Sequence, residues 1–259
     1  MGCIITVANN KGGVGKSTAT LNLGHALAAR RKRVLVVDLD SQCNTTHTLV
    51  DTSLIDNTLH EFLENPSVDP GACIYPTEYD NMFCLPNAEQ TSALELRLIK
   101  EDQYDILQKR LRPYAIDNYD FVFLDTPPNL LFFVLSALFS SDFVIVPVLC
   151  SSHFSMEGLS AAIRLIRDVQ QSENPHLRFL RLLINNVDKR TAISRVMIER
   201  IRQTFSDTEI FKTTIPTSTA FAQAELAGKT IIRYAPSSVG AKSYRSLANE
   251  FLTIIKKEA

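Results

Sequence analysis

One segment, CIITVANNKGGVGKSTATLNLGHAL, constrains this chain more than any other. Residues 3–9 are an uncharged, β-branched run of the kind that forms a buried strand, and from residue 17 the apolar positions fall at helical spacing. Between them stand Gly12, Gly13 and Gly15, followed by Lys16 and Ser17. A strand that turns on glycines into a helix leaves the helix's first N–H groups facing the turn, where they and the helix dipole attract an anion. It also commits the chain to a crossover, because a strand followed by a helix returns as a parallel strand.

The remaining sequence repeats that alternation. Strands are expected at 3–9, 33–40, 81–86, 119–125, 143–149 and 178–186, all near-continuous Val/Ile/Leu/Phe runs suited to parallel strands covered on both faces. Helices are expected at 17–30, 90–112, 130–140, 155–172, 192–205 and 237–257, with Ser155 as an N-cap. The pattern predicts an α/β fold: a doubly wound, mostly parallel sheet with helices on both faces, in a single domain over 1–259, with ligands at the carboxyl ends of the strands. Residues 51–80, with Pro66, Pro70, Gly71 and Pro76, are expected to be short helix and loop within it. No repeat, low-complexity tract or flexible linker interrupts the chain, and with a strand ahead of the glycine turn no N-terminal helix-turn-helix is expected.

The turn fills the end of the phosphate-loop pattern G-x-x-x-x-G-K-[ST] with Gly15, Lys16 and Ser17, but Asn10 replaces the first glycine and a second lysine, Lys11, follows it. Gly12, Gly13, Val14 and Gly15 would present backbone N–H groups to phosphate oxygens, with Thr18 in the same turn. Lys16 would hold the β- and γ-phosphates, and the Ser17 hydroxyl would ligate Mg²⁺. Two acidic elements end strands nearby. VFLDTPP places Asp125 as a carboxylate for magnesium, through water; VVDLDSQCN carries Asp38 and Asp40, two apart on an extended chain and so expected on one side. One of that pair can support magnesium or the loop while the other orients an attacking water. An isolated D-x-D is more often a solvated strand end; here the neighbouring loop gives it a substrate.

Composition narrows the classes. Residues 1–149 carry 11 Lys+Arg against 18 Asp+Glu, a balance of −7, whereas residues 150–259 carry 16 against 10, or +6. A basic C-terminal half suits either a polyanion or an ordinary solvated helix surface. The five cysteines are odd in number and lack any C-x-x-C spacing, the usage of reduced thiols in a cytoplasmic protein. No apolar run reaches membrane-spanning length, and MGCIITVANN is too short and uncharged for a signal peptide. Gly2 followed by Thr6 loosely fits a myristoylation pattern, which a buried strand explains better.

KGGVGKST at 11–18, DLDSQCN at 38–44 and DTPP at 125–128 resemble the deviant Walker A, A′ and B motifs of the ParA/MinD family. HFSMEGLSAAI, NNVDKRT, TIPTSTAFAQAELAGKTIIRY and GAKSYRSLANEF resemble ParA/Soj partition ATPases in order and spacing, so the similarity covers nearly the whole chain and is weakest at about 50–115. The resemblance implies an ATP- and magnesium-dependent hydrolase in which Lys11 reaches across an ATP-sandwich homodimer to the partner's phosphates. By the same token Asp40 positions the hydrolytic water, Asp38 and Asp125 serve the magnesium side, and Asn186 or Pro216 borders the adenine. It further implies slow hydrolysis, non-specific DNA binding by the ATP form, a ParB-like adaptor that stimulates hydrolysis and release, and a cytoplasmic, nucleoid-associated location.

Two departures stand out: Ser41 replaces the family's usual proline, and Thr217 and Ala220 stand where chromosomal relatives carry arginines. Candidate DNA contacts are therefore Lys189, Arg190, Arg195, Lys229, Arg233, Lys242 and Arg245. Alternatives within the family are a ParA-type ATPase that positions a protein cargo such as a carboxysome, and a MinD-like membrane-associated ATPase. For the latter, the C-terminal SYRSLANEFLTIIKKEA is amphipathic, but Tyr244, Leu247, Ala248, Phe251, Ile254 and Ile255 follow the period of a helix packed on the domain, so no membrane is expected. An iron protein of the nitrogenase type shares the loop, yet Cys73, Cys84 and Cys150 lack a cluster-binding context.

Overall fold

In the computed structural model residues 2–150 and 155–258 are described, with backbone alone at 155–157. Among the described residues one sheet holds β1 (Cys3–Val7), β2 (Val34–Asp38), β3 (Tyr75–Pro76), β4 (Met82–Leu85), β5 (Phe121–Asp125), β6 (Phe143–Leu149) and β7 (Arg178–Asn185). Their order is β3-β4-β2-β5-β1-β6-β7; β3 pairs antiparallel with β4 and every other neighbouring pair is parallel. All six expected strands are present, and β3 is an addition at the edge, where Pro76 costs the ladder little.

The helices are α1 (Lys16–Ala28), α2 (Asn44–Leu49), α3 (Leu59–Glu64), α4 (Thr91–Lys100), α5 (Arg112–Asn118), α6 (Phe132–Ser140), α7 (Ser155–Ser172), α8 (Ala192–Thr204), α9 (Thr219–Leu226), α10 (Ile231–Tyr234) and α11 (Val239–Glu258). They cover both faces, because strand residues of either parity are apolar. Ile5, Val36 and Phe123 meet Leu23 and Leu27 of α1 and Tyr244, Leu247 and Phe251 of α11. Their sequence neighbours Ile4, Leu35 and Val122 point the other way, onto Phe62, Leu98 and Phe133. A further cluster packs α6, α7 and α8 on β6 and β7 through Val144, Val146, Leu182 and Ile184. This is the doubly wound α/β fold.

The apolar face of α11 is core. Tyr244, Leu247, Ala248 and Phe251 are fully buried, and the Phe251 ring lies 5.3 Å from that of Phe121. No described helix is long and apolar enough to cross a membrane.

The expected single helix at 90–112 is broken. Asp102 takes φ 52°, and the N–H groups of Asp102 and Gln103 turn back to Ile99 and Leu98, which closes α4. A π-helical turn at Leu107–Leu111 then leads into α5, whose first turn holds Pro113. The short α2, α9 and α10 went unanticipated, since four to eight residues are too few to display a period. The capping role expected of Ser155 concerns a side chain outside the described residues.

Candidate active site at the strand ends

Strand register brings the chemistry together. Val7 pairs with Asp125 and Asp125 with Asp38, so the carboxyl ends of β1, β5 and β2 lie level. The glycine turn leaves β1 there and is tied down on two sides. Buried Asn9 donates through Nδ2 to the Pro147 carbonyl (2.7 Å) and accepts the Lys11 N–H at Oδ1 (3.1 Å). Asn185, at the end of β7, donates to the Val14 carbonyl at 2.8 Å. Gly13 and Gly15 adopt φ 70° and 87°, conformations costly for other residues, and a Cβ on Gly15 would lie 2.8 Å from the Asn185 amide nitrogen. With Gly15 as its N-cap, α1 has no side-chain cap and no acidic residue in its first turn, so its positive end is left for a ligand.

Lys16 is buried, and its Nζ donates to the Lys11 carbonyl at 3.4 Å. Burial lowers its pKa while Asp125 and Asp40 push it back up, so the site gains from a further negative charge at the ammonium. Gly12, Gly13, Gly15, Lys16, Ser17 and Thr18 line a cleft of about 580 Å³, the size of a small-ligand site. Asp40, Gln42, Asn44 and Pro128 close one side; Phe221, Leu226 and Lys229 contribute to another.

The carboxylates divide into an inner pair and an outer one. Asp38 is fully buried: Oδ1 accepts the Asp40 N–H at 3.1 Å, and Oδ2 accepts the Thr46 N–H and hydroxyl at 2.8 and 2.7 Å. Asp125 is equally buried and accepts the Thr45 hydroxyl at 2.6 Å through Oδ2. Burial raises the pKa of both; mutual repulsion adds to it at Asp38, while the Thr45 and Ser17 hydroxyls and Lys16 pull Asp125 back down. Asp40 instead reaches the cleft, with Oδ1 accepting the Gln42 N–H at 3.0 Å. The two differ in burial: Asp38 ends β2, whereas Asp40 lies two residues beyond it and just before the turn at residues 41–42.

A magnesium ion beside the loop fits these residues. Asp125 Oδ1 is buried without a hydrogen-bond partner among the described residues, and the Ser17 hydroxyl is close enough to lower the acid's pKa. A hydroxyl and an unsaturated carboxylate oxygen form a hard oxygen set, which magnesium takes directly or through water.

Other expected residues scatter. Lys11 is half-buried, lies outside the cleft lining, and has its Cβ about 3.5 Å from where a Cβ on Gly158 would stand. Val14 is buried behind the loop. Neither Asn186, at φ 56°, nor Pro216, bridged to Val187, lines the cleft. Lys189, Arg190 and Arg195 are exposed together after β7, but Arg190 Nη2 pairs with Asp188 at 2.8 Å. Arg233, Lys242 and Arg245 sit on α10 and α11, and Lys229 belongs to the cleft wall and not to either group. Sequence reasoning passed over Asn9, Thr45 and Asn185; only their adjacency to the motifs signalled them.

The sequence matches an AAA domain family over residues 2–179. It is 36% identical over 251 residues to the sporulation initiation inhibitor protein Soj of Bacillus subtilis, covering 96% of this chain and 98% of that protein. The chromosome partitioning protein ParA of Myxococcus xanthus is 33% identical over 254 residues, 97% of this chain and 88% of that one. Among solved structures, the Mycobacterium smegmatis protein described as cobyrinic acid a,c-diamide synthase, with bound ATP analogue and magnesium, superposes with a TM-score of 0.85 at 30% identity. That match covers 100% of this chain and 98% of the other.

Proposed function

Because this chain belongs to the Soj/ParA family of P-loop ATPases, we propose that it is a partition ATPase of residues 1–259 that binds ATP with magnesium, dimerises on it and holds DNA until hydrolysis. One observation carries the reading: Lys16, Ser17 and Asp40 line a single cleft at the mouth of an uncapped helix. The ATP analogue and magnesium held by the Mycobacterium smegmatis relative support the choice of ligand.

In this reading the loop amides from Gly12 to Thr18 and the Lys16 ammonium bind the phosphates, and they replace solvent with fixed donors. Magnesium, when bound, neutralises charge on the phosphate oxygens. Ser17 and Asp125 hold it on this chain's side. Asp38 grips Thr46 and so keeps α2, and the Asp40 loop before it, against the sheet. Asp40, the carboxylate open to the cleft, orients the attacking water. Lys11, outside the cleft lining of its own subunit, reaches the partner's phosphates in a homodimer; dimerisation then depends on the triphosphate because its negative charge attracts the cation across the interface.

DNA contact falls to cations at the surface. Lys189, Arg190 and Arg195 form one group and Arg233, Lys242 and Arg245 another, binding phosphates without reading bases. A ParB-like adaptor accelerates an otherwise slow hydrolysis and releases the protein from the nucleoid. The buried apolar face of α11 argues against a MinD-like membrane anchor. The test is light scattering and DNA retention with ATP and with ADP. The reading requires a dimer, and salt-sensitive DNA binding, with ATP alone; equal behaviour in the two nucleotides contradicts it.

A further inference from the structure

We infer that Thr45 is a positioning residue for the magnesium site: by holding one oxygen of Asp125 it reserves the other for the metal side. The inference rests on the nucleotide-site reading above. Thr45 and Asp125 are both buried, and the Thr45 hydroxyl donates to Asp125 Oδ2 at 2.6 Å. The second oxygen, Oδ1, is also buried and has no hydrogen-bond partner among the described residues. Ser17, the second residue of α1, lines the cleft beside the loop. The two oxygens therefore differ: one is bound by the first turn of α2, and the other is left without a hydrogen-bond partner among the described residues.

Thr46 does for Asp38 what Thr45 does for Asp125. Its N–H and hydroxyl donate to Asp38 Oδ2, and its hydroxyl oxygen accepts the Asn87 N–H at 2.8 Å. Two consecutive threonines in the first turn of α2 thus grip two carboxylates that are level on adjacent strands. The intervening loop carries Asp40 and is itself held by the Leu39 N–H on the Asp125 carbonyl at 2.9 Å. A carboxylate that accepts a hydrogen bond at one oxygen cannot rotate about Cβ–Cγ without losing it. Without the Thr45 hydroxyl, Asp125 is free to turn, and neither oxygen keeps a fixed direction. Partners that orient a metal-facing group typically change metal affinity by about 10- to 100-fold when removed.

The experiment uses the full chain and a fluorescent, non-hydrolysable ATP analogue, with magnesium chloride titrated against fixed nucleotide and a parallel measurement in chelator. Thr45→Val keeps the shape and removes the donor. Its magnesium midpoint should rise about tenfold, while nucleotide affinity in chelator stays within about twofold of wild type. Thr45→Ser keeps the hydroxyl and should follow wild type in both. If Thr45→Val does not fold, Thr45→Ala provides the same arm. An unchanged midpoint in the hydroxyl-free variant, an equal loss in chelator and in magnesium, or a shifted midpoint in Thr45→Ser overturns the inference. A wild-type protein whose nucleotide binding ignores magnesium overturns the site reading as well, so the two failures are distinguishable.

Discussion

The nucleotide cleft and the basic surface of the C-terminal half are built on opposite principles. In the cleft, the loop and the inner carboxylates are fixed by buried bonds: Asn9 and Asn185 clamp the loop, Thr45 and Thr46 clamp the carboxylates, and glycines set the turn. On the surface, cations are exposed, belong to several elements, and at Arg190 are partly cancelled by a neighbouring acid. Changes in the cleft should therefore act steeply and one residue at a time. Changes on the surface should act weakly and sum.

Lys16→Ala should break the first half of that contrast most severely. Removing the cation from a buried phosphate cradle should weaken ATP binding by about 100-fold or more, read by calorimetry. A loss under tenfold would mean the loop amides suffice. Lys11→Ala comes next: nucleotide affinity should stay within about threefold, while ATP-dependent dimerisation weakens by about tenfold or more. Light scattering across protein concentrations checks it, and a wild-type dimer would remove Lys11 from the interface.

Surface substitutions should be milder. Arg190→Glu is expected to reduce DNA affinity by about three- to tenfold and flatten the salt slope by about one unit. Asp188→Asn, which frees Arg190, should move affinity the other way. Opposite signs would sharpen the comparison; no effect from either would take the β7–α8 corner out of the DNA face.

The smallest effect joins the two regions. His25 of α1 stacks on Tyr79 at 4.3 Å and bonds Thr230 at 2.6 Å. Burial, with Arg245 and Arg233 nearby, lowers its pKa to about 4 against the pull of Glu78. The unfolded chain then takes up a proton before the folded one does, so this contribution is complete above about pH 6.5 and is lost as pH falls toward 4. Between pH 7 and 5 the loss should be about 1 kcal/mol after allowance for partial exposure. The buried Asp38–Asp125 pair, with raised pKa values, works in the opposite sense. Thermal melts of wild type and His25→Gln at both pH values isolate the histidine; parallel curves would contradict its role.

How much was legible follows the same division. The strands were read because their Val/Ile/Leu/Phe runs need no partner to be recognised, and the loop because glycines, lysine and hydroxyl must be contiguous. Asp40 was legible as part of a strand end. The difference in burial between it and Asp38 was not, since Asp38 is enclosed by Thr46, eight residues further on. Thr45 and Asn185 act across 80 and 171 residues of sequence, and pairings at that distance leave no local pattern. Lys229, a DNA candidate by its charge, also lines the cleft, a position that nothing in its local sequence signalled.

Asp40 carries the central claim, that this cleft is an ATP switch whose exit step is made by one outer carboxylate. The direct measurement is a single-turnover experiment on Asp40→Ala, with ATP binding and cleavage followed on the same sample in magnesium. Binding should remain within about threefold of wild type, because the loop amides and Lys16 are untouched, while cleavage slows by about 100-fold or more. Cleavage at the wild-type rate would contradict the account, as would a loss of binding that matches the loss of cleavage.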